Sequence, residues 1–195
     1  MRLAIALSHP TYLKLFEEVD QTQQYCDPTD DLDITWKYPK QLGEGWVREI
    51  QLREGLSLRI ENIRQYDDLI VEYPEEERHL GYFFLTSGVS DWDNFSFSAG
   101  QYTFYGNGLA PKDCCAAFAV QPFFSVEVLI QPEILRSFIG NLTGELPAAL
   151  QHLLRPSDRV CYGLCSNTTP FMQSVLQQIL RCPLPGLYQT GVFGK

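Results

Sequence analysis

The histidines are the first candidates for chemistry, because an imidazole ring binds metals and moves protons near neutral pH. The chain has three, His9, His79 and His152. No two of them stand two positions apart, as in His-x-His, the spacing at which a strand turns both rings to the same face. Since imidazole nitrogens are the ligands that metals such as zinc and iron favour, we expect no metal site and no cofactor.

Motifs for nucleophilic catalysis and phosphate binding are incomplete. Gly88-Val89-Ser90-Asp91 lacks the second glycine of a nucleophile elbow. Gly106-Asn107-Gly108 lacks the further glycine and the lysine of a phosphate-binding loop. His79 lies in an acidic turn, where a solvated surface side chain is favoured over a general base. The sequence therefore predicts a protein that is not an enzyme.

The chain has six cysteines, Cys26, Cys114, Cys115, Cys161, Cys165 and Cys182. Cys161 and Cys165 come nearest to the spacing of metal ligands, but the other cysteines are distant in the sequence. Two interpretations stay open, a structural metal or inert thiols. The thiols are favoured, because a reducing compartment keeps cysteines free and no closer pair completes a zinc motif.

Aromatic residues crowd the middle of the chain. On a strand, alternate side chains face opposite ways, so Phe83 cannot share a face with Tyr82 and Phe84. Either these rings form the core, or one face lines a lumen that stacks a flat ligand. The candidate lumen residues are Arg48, Tyr82, Phe84, Trp92, Tyr102 and Phe104.

The charge distribution limits the partners. The 195-residue chain has a formal net charge of −9, and all of the excess acid lies in residues 1–100. An acidic chain repels phosphate backbones, so direct DNA binding is not expected. A solvated acidic face is favoured over a cation-binding role. No apolar run approaches the ~20 residues that span a membrane, and Leu3–Leu7 is shorter than a signal-peptide core, so we expect a cytoplasmic protein.

The predicted elements change from helix to strands and back to helices. Tyr12, Leu15, Phe16 and Val19 predict a helix over residues 8–19. The polar segment from Asp20 to Gly45 predicts an irregular connection. Alternation of apolar and polar residues from Leu56 predicts a strand that a turn at Glu54-Gly55 joins to Trp46–Arg53. Further strands are expected at Leu69–Tyr73, Leu80–Thr86, Phe95–Ser98, Gln101–Tyr105, Cys115–Val120 and Phe123–Leu129. Many short strands favour a barrel or a sandwich.

Helical spacing returns after Gln131. One helix is expected from Pro132 to Ile139, a second around Leu146–Leu153, and a third beginning at Pro170 after the N-cap candidate Thr169. Their apolar faces either pair with a second copy of the chain or only cover the barrel. The first alternative predicts a homodimer interface of Leu150, Met172, Val175, Leu176 and Ile179.

The ordered set of segments resembles a known family. The stretches that carry the resemblance are residues 48–58, 106–111, 136–140, 144–155, 168–170 and 177–183. Together they resemble the sensor domain of AraC-type transcription regulators, in the subgroup named for the pyochelin regulator PchR. The resemblance runs over roughly residues 3–187.

The resemblance implies an α+β fold, a cupin-like β-barrel of jelly-roll type followed by C-terminal helices. It implies one ligand-sensing domain over residues 1–195, with an N-terminal helix and irregular segment in 1–45, the barrel in 46–130, helices in 131–183 and a tail in 184–195. The family's helix-turn-helix domain is absent from these residues, so DNA contact is expected only through such a domain.

A ferric siderophore or another aromatic iron-related ligand is the effector that the resemblance implies. Cys182-Pro183 also matches a short haem-responsive signal, although the reading of Pro183 as a helix stop is favoured. Two alternatives stay open. The chain is a stand-alone cupin-like binding protein without a metal, or a metal-independent cupin enzyme.

Overall fold

The computed structural model describes residues 4–19, 24–25, 32–93, 95–141 and 143–181. Its strands are β1 (Ala4–Ser8), β2 (Gln24–Tyr25), β3 (Asp33–Lys37), β4 (Gly43–Arg53), β5 (Leu56–Gln65), β6 (Asp68–Tyr73), β7 (Glu76–Arg78), β8 (Leu80–Ser87), β9 (Val89–Trp92), β10 (Phe95–Ser98), β11 (Gln101–Tyr105), β12 (Gly108–Ala110), β13 (Asp113–Ala117), β14 (Phe123–Ile130) and β15 (Gly163–Asn167). The helices are α1 (His9–Val19), α2 (Pro132–Ile139), a 3-10 helix (Ala148–Leu153) and α3 (Pro170–Arg181).

Two sheets face each other. The larger sheet has eight strands in the order β15-β11-β8-β14-β5-β4-β3-β2, and the smaller has five in the order β1-β6-β13-β9-β10. Pairings between the described strands are antiparallel except that of β1 with β6. Over the described residues, the strands of these sheets do not pair into one closed barrel. The predicted α+β class, a cupin-like barrel of jelly-roll type followed by helices, is confirmed in this open form.

The β4–β5 hairpin forms where the alternating pattern predicts it. Leu58 and Ile60 are buried on one face of β5, and Arg59 and Glu61 face the other way. Gly55 in the turn has φ +76°, a conformation that glycine adopts without steric cost. A Cβ atom there would lie 2.9 Å from Cγ1 of Ile134, so the turn packs closely against α2.

Each face of the large sheet has its own hydrophobic core. On the inner face, Val47 and Ile63 meet Leu69 and Val71 of the small sheet, with α1 packed against them. On the outer face, Leu176 of α3 packs on a cluster formed by Ile50, Leu52, Leu58, Ile60, Phe84 and Val126. The large sheet is therefore covered on one side by the small sheet and on the other by α3.

The burial of α3 corrects part of the predicted dimer interface. Leu176 is 5% exposed, within the protein's own core, and Met172 and Ile179 pack against the same cluster. These three side chains cover the outer face of the sheet because an amphipathic helix buries its apolar stripe on the nearest apolar surface. Val175 and Leu150 are partly exposed.

Several predicted boundaries are also corrected. Part of the segment from Asp20 to Gly45 is strand, since it contains β2, β3 and the start of β4. Ala4–Ser8 form β1, a strand that was not expected. The predicted second helix is a short 3-10 helix. Strands β7, β9, β12 and β15 were not expected. Cys26, Cys182 and the predicted tail lie outside the described residues.

Candidate functional site

A cavity of about 400 Å³ lies between the two sheets. The inward side chains of β5, β8, β11 and β14 line it from the large sheet, and those of β6, β9, β10 and β13 line it from the small sheet. Helix α1 contributes His9, Tyr12 and Leu13, and β7 contributes all three of its residues. A volume of this size accommodates a small organic molecule.

The large sheet places a row of charged side chains on its inner face. Glu49 pairs in register with Arg59, and Arg59 pairs with Glu127 on the next strand. The Arg59 guanidinium donates from Nε to Oε1 of Glu61 and from Nη1 to Oε1 of Glu49, both at 3.0 Å. Burial alone would lower the pKa of Arg59, but Glu61, Glu49 and Glu127 together raise it. The guanidinium is thus neutralised by its own neighbours.

Glu127 lies at the centre of this inner face and is bonded to a tyrosine. The hydroxyl of Tyr105 donates to Oε1 of Glu127, and its ring crosses over Gly81, where a Cβ atom would lie 2.7 Å from the tyrosine oxygen. Burial raises the pKa of the Glu127 carboxyl, an effect that the Tyr105 hydrogen bond and Arg59 only partly offset. A carboxyl in this position readily accepts a proton or a cationic partner.

Aromatic rings of the small sheet, joined by Phe83 of the large sheet, form a second wall of the cavity. Trp92 and Phe95 stack with their centroids 6.0 Å apart and their planes 9° apart, and Phe95 stacks on Phe97 at 5.8 Å. Phe83 meets Phe97 edge to face at 5.4 Å, and Tyr73 lies 5.3 Å from Trp92. The result is a continuous aromatic wall, defined here as Tyr73, Phe83, Trp92, Phe95 and Phe97.

Three polar atoms of cavity-lining side chains are buried without a hydrogen-bond partner among the described residues. They are Oε1 of Gln65, Nε1 of Trp92 and Oγ1 of Thr103. Buried polar groups are nearly always bonded, and an orphaned one costs about 1–3 kcal/mol. A ligand with its own donors and acceptors would remove that cost, so these atoms mark positions where bound molecules gain polar contacts.

Only one of the predicted lumen residues lines this cavity. Trp92 does so, from β9. Tyr82, Phe84, Tyr102 and Phe104 point to the outer face instead, where Tyr82 stacks on Phe104 at 4.3 Å and the rings of Tyr82, Phe84 and Tyr102 pack near α3. The prediction that Phe83 faces away from Tyr82 and Phe84 is correct. The cavity, however, lies on the face of Phe83 and not on the predicted face of Tyr82 and Phe84.

Arg48 is also corrected, because it lies on the outer face. Its Nε donates to Oδ1 of Asp33 at 2.7 Å, and its Nη2 pairs with Oδ2 of the same carboxylate. The Asp33 side chain is completely buried. Arg48 therefore joins β3 to β4 and does not reach the cavity.

The charged cavity residues Arg59, Glu61 and Glu127 were missed by the sequence interpretation. Arg59 and Glu127 each sit between apolar neighbours, and Glu61 follows the apolar Ile60. In an alternating strand such polar residues are expected to face solvent. A weak signal was available in Glu127, which is an isolated charge inside an eight-residue strand. The large sheet is covered on both faces, so its polar positions face a protein cavity and not bulk water.

The histidines, cysteines and acids of the described residues do not form a candidate metal site. No group of three or more His, Cys, Asp or Glu side chains there could hold a metal ion. Cys115 lines the cavity, where burial raises its pKa to about 11, so its thiol is a poor nucleophile. No described helix is long and apolar enough to cross a membrane.

Comparison with known proteins gives one family match. Residues 44–190 match the family described as the regulatory protein PchR N-terminal domain. A comparison with curated proteins gives no significant match.

Several solved structures are distantly similar. Unsaturated fatty acid bound ToxT from Vibrio cholerae is 13% identical, with a TM-score of 0.45 over 66% of this chain and 46% of that one. A second ToxT structure is 11% identical, with a TM-score of 0.45 over 72% of this chain and 54% of that one. Oxalate decarboxylase from Bacillus subtilis is 12% identical, with a TM-score of 0.32 over 68% and 40%. The chain spans about half the length of the ToxT structures that it matches.

Proposed function

Because the chain belongs to the family of regulatory protein PchR N-terminal domains, we propose that it is the effector-sensing domain of an AraC-type transcription regulator. A small molecule binds in the cavity between the sheets and changes the state of the regulator. The observation that carries the proposal is the cavity itself, about 400 Å³ in volume, with an aromatic wall and charged side chains on the facing sheet.

The arrangement of the cavity supports a sensing role. Residues of both sheets and of α1 line it, so a bound molecule contacts all three and fixes their separation. A ligand that prefers one separation over another shifts the population of states by the difference in its affinity for them. The outer face of the same large sheet carries α3, which provides a route from the cavity to the end of the described chain.

Several parts of the proposal concern the whole regulator. DNA binding belongs to a helix-turn-helix domain outside these residues, the protein acts in the cytoplasm, and two copies form a homodimer. A ferric siderophore or another aromatic iron-related ligand is the effector suggested by the family name. The carboxylates of the cavity disfavour an anionic chelate, so a further ligand class is argued below.

The test is ligand-induced stabilisation of the 195-residue chain. Thermal unfolding is measured with a panel of small molecules that includes ferric pyochelin, with and without the substitution Ala117→Phe. Ala117 lies on β13 and lines the cavity, so a phenyl ring there would occupy ligand space. A ligand at 100 times its dissociation constant stabilises by about 2.7 kcal/mol, which raises Tm by roughly 5–11 °C for a chain of this size.

The expected result is a compound that raises Tm in the parent chain and not in the Ala117→Phe variant, with both proteins folded in its absence. A compound that stabilises both equally binds elsewhere and contradicts the cavity as the effector site. Chemical conversion of that compound by the purified chain would favour the enzyme alternative, in which Glu127 with its raised pKa would supply a general acid.

A further inference from the structure

The charged side chains that line the cavity are mostly acidic. Among the described residues, the acids are Glu61, Glu76, Glu77, Asp113 and Glu127, and the guanidinium groups are those of Arg59 and Arg78. Arg59 is already held by Glu49 and Glu61 at 3.0 Å. Arg78 lies over the ring of Tyr105, 5.2 Å from its centroid. An anionic ligand entering this space would therefore meet excess negative charge.

The aromatic wall also favours a ligand that carries a positive charge. The faces of aromatic rings carry partial negative charge and attract cations within about 6 Å of the ring centroid, most strongly over tryptophan. Tyr73 and Trp92 lie side by side in the wall. Burial is the main cause that raises the pKa of Tyr73, and Glu61 and Glu127 add to it, which places those carboxylates within electrostatic reach of the wall.

Glu127 is the carboxyl best placed to pair with a cation. Its Oε1 accepts the Tyr105 hydroxyl, and it shares a register position with Phe83 of the aromatic wall. Glu61 is more fully engaged, because it accepts both from Arg59 at 3.0 Å and from Oγ of Ser125 at 3.1 Å. A buried carboxylate is stabilised by a cation that replaces the lost solvent.

We propose that the effector is an organic cation, a protonated amine or quaternary ammonium with an apolar body, bound between the aromatic wall and the Glu127 carboxylate. This assignment rests on the proposed function, and it names the chemical class that the cavity takes. The unpartnered polar atoms of Gln65, Trp92 and Thr103 provide further contacts for the polar groups of the ligand.

The experiment compares three probes that share an indole ring and differ in charge. Tryptamine is a cation, tryptophol is neutral and indole-3-acetate is an anion at pH 7. Their affinities for the 195-residue chain are measured by calorimetry, and the Trp92 indole N–H is followed by NMR. We expect tryptamine to bind at least about ten-fold more tightly than indole-3-acetate, as a paired cation on an aromatic face should.

The variant Glu127→Gln removes the charge and keeps the oxygen that accepts the Tyr105 hydrogen bond. It should weaken tryptamine binding by about ten-fold or more and change tryptophol binding little. The matched control is Glu133→Gln on α2, whose side chain is 72% exposed, and it should change neither affinity. Thermal unfolding without ligand checks that both variants fold.

Other outcomes overturn the cation assignment. These are indole-3-acetate binding as tightly as tryptamine, tryptamine binding that is unaffected by Glu127→Gln, or no binding by any of the three probes. If indole-3-acetate binds and Ala117→Phe abolishes its binding, the cavity stands as the effector site and only the cation class is wrong.

Discussion

At the scale of single residues, the Arg48–Asp33 pair shows how a charged side chain can serve the fold. Asp33 is completely buried and Arg48 is 23% exposed, and the two side chains meet through two nitrogen–oxygen contacts. The pair fastens β3 to β4 on the outer face. Sequence alone treats such an arginine as a candidate ligand contact, because nothing in the local pattern identifies its partner 15 residues away.

We predict that Arg48→Met destabilises the chain by about 3 kcal/mol, because the buried Asp33 carboxylate loses its partner. Urea unfolding measures the change. Arg64→Met is the matched control, since Arg64 lies 4.0 Å from Glu44 and both side chains are largely exposed, and it should cost less than about 1 kcal/mol. Equal losses of stability in the two variants would mean that the buried pair contributes no more to the free energy of unfolding than the exposed pair.

At the scale of elements, α3 is the helix whose role changed most between sequence and structure. Its apolar residues at helical spacing predict a surface that pairs with a second copy. In the structure the stripe covers the aromatic outer face of the large sheet, and Leu176 is its most buried member. The stripe predicted the helix correctly, but the pattern carries no information about which surface the stripe meets.

We therefore predict that Leu176→Ala lowers the free energy of unfolding by about 3 kcal/mol, the cost of removing a buried leucine side chain and leaving a cavity. The control is Leu180→Ala on the same helix, where the side chain is 39% exposed and the loss should be below about 1 kcal/mol. Chemical unfolding of both variants distinguishes the two positions. A Leu176 variant as stable as the control would show that α3 does not pack on the sheet.

At the scale of the whole molecule, the homodimer stays a prediction. Val175 is partly exposed, and it lies one helical turn from Phe171, which is 78% exposed. Residues four apart on a helix are neighbours on one face. These two side chains form a flank of α3 beside the stripe that covers the sheet, and they are available for contact with a second copy.

Sedimentation of the unmodified chain at micromolar concentrations should therefore give a dimer. Phe171→Glu should weaken that dimer by about ten-fold or more, because it introduces a charge into an apolar contact. Gln173→Glu adds the same charge at an exposed position on the other side of the helix and should leave the dimer intact. A parent chain that sediments only as a monomer would contradict the prediction.

Much of the local structure was determined by the sequence. The alternating residues of β5, the glycine turn before it and the proline start of α3 are short-range signals, and each element forms where its signal lies. The β3 strand was missed because its stability comes from β4 and from the Asp33–Arg48 pair. The unpredicted β1 depends on β6, more than 60 residues further along the chain.

The choice between the two faces of the large sheet was left to the tertiary structure. Alternation separates Phe83 from Tyr82 and Phe84, yet it treats both faces alike, because a strand has the same period whichever side is covered. The small sheet, which includes β9, β10 and β13, covers the Phe83 face, and α3, from the end of the described chain, covers the other. The sequence thus determined that the two faces differ, and only the packing of distant elements decided that Arg59 and Glu127 face the cavity.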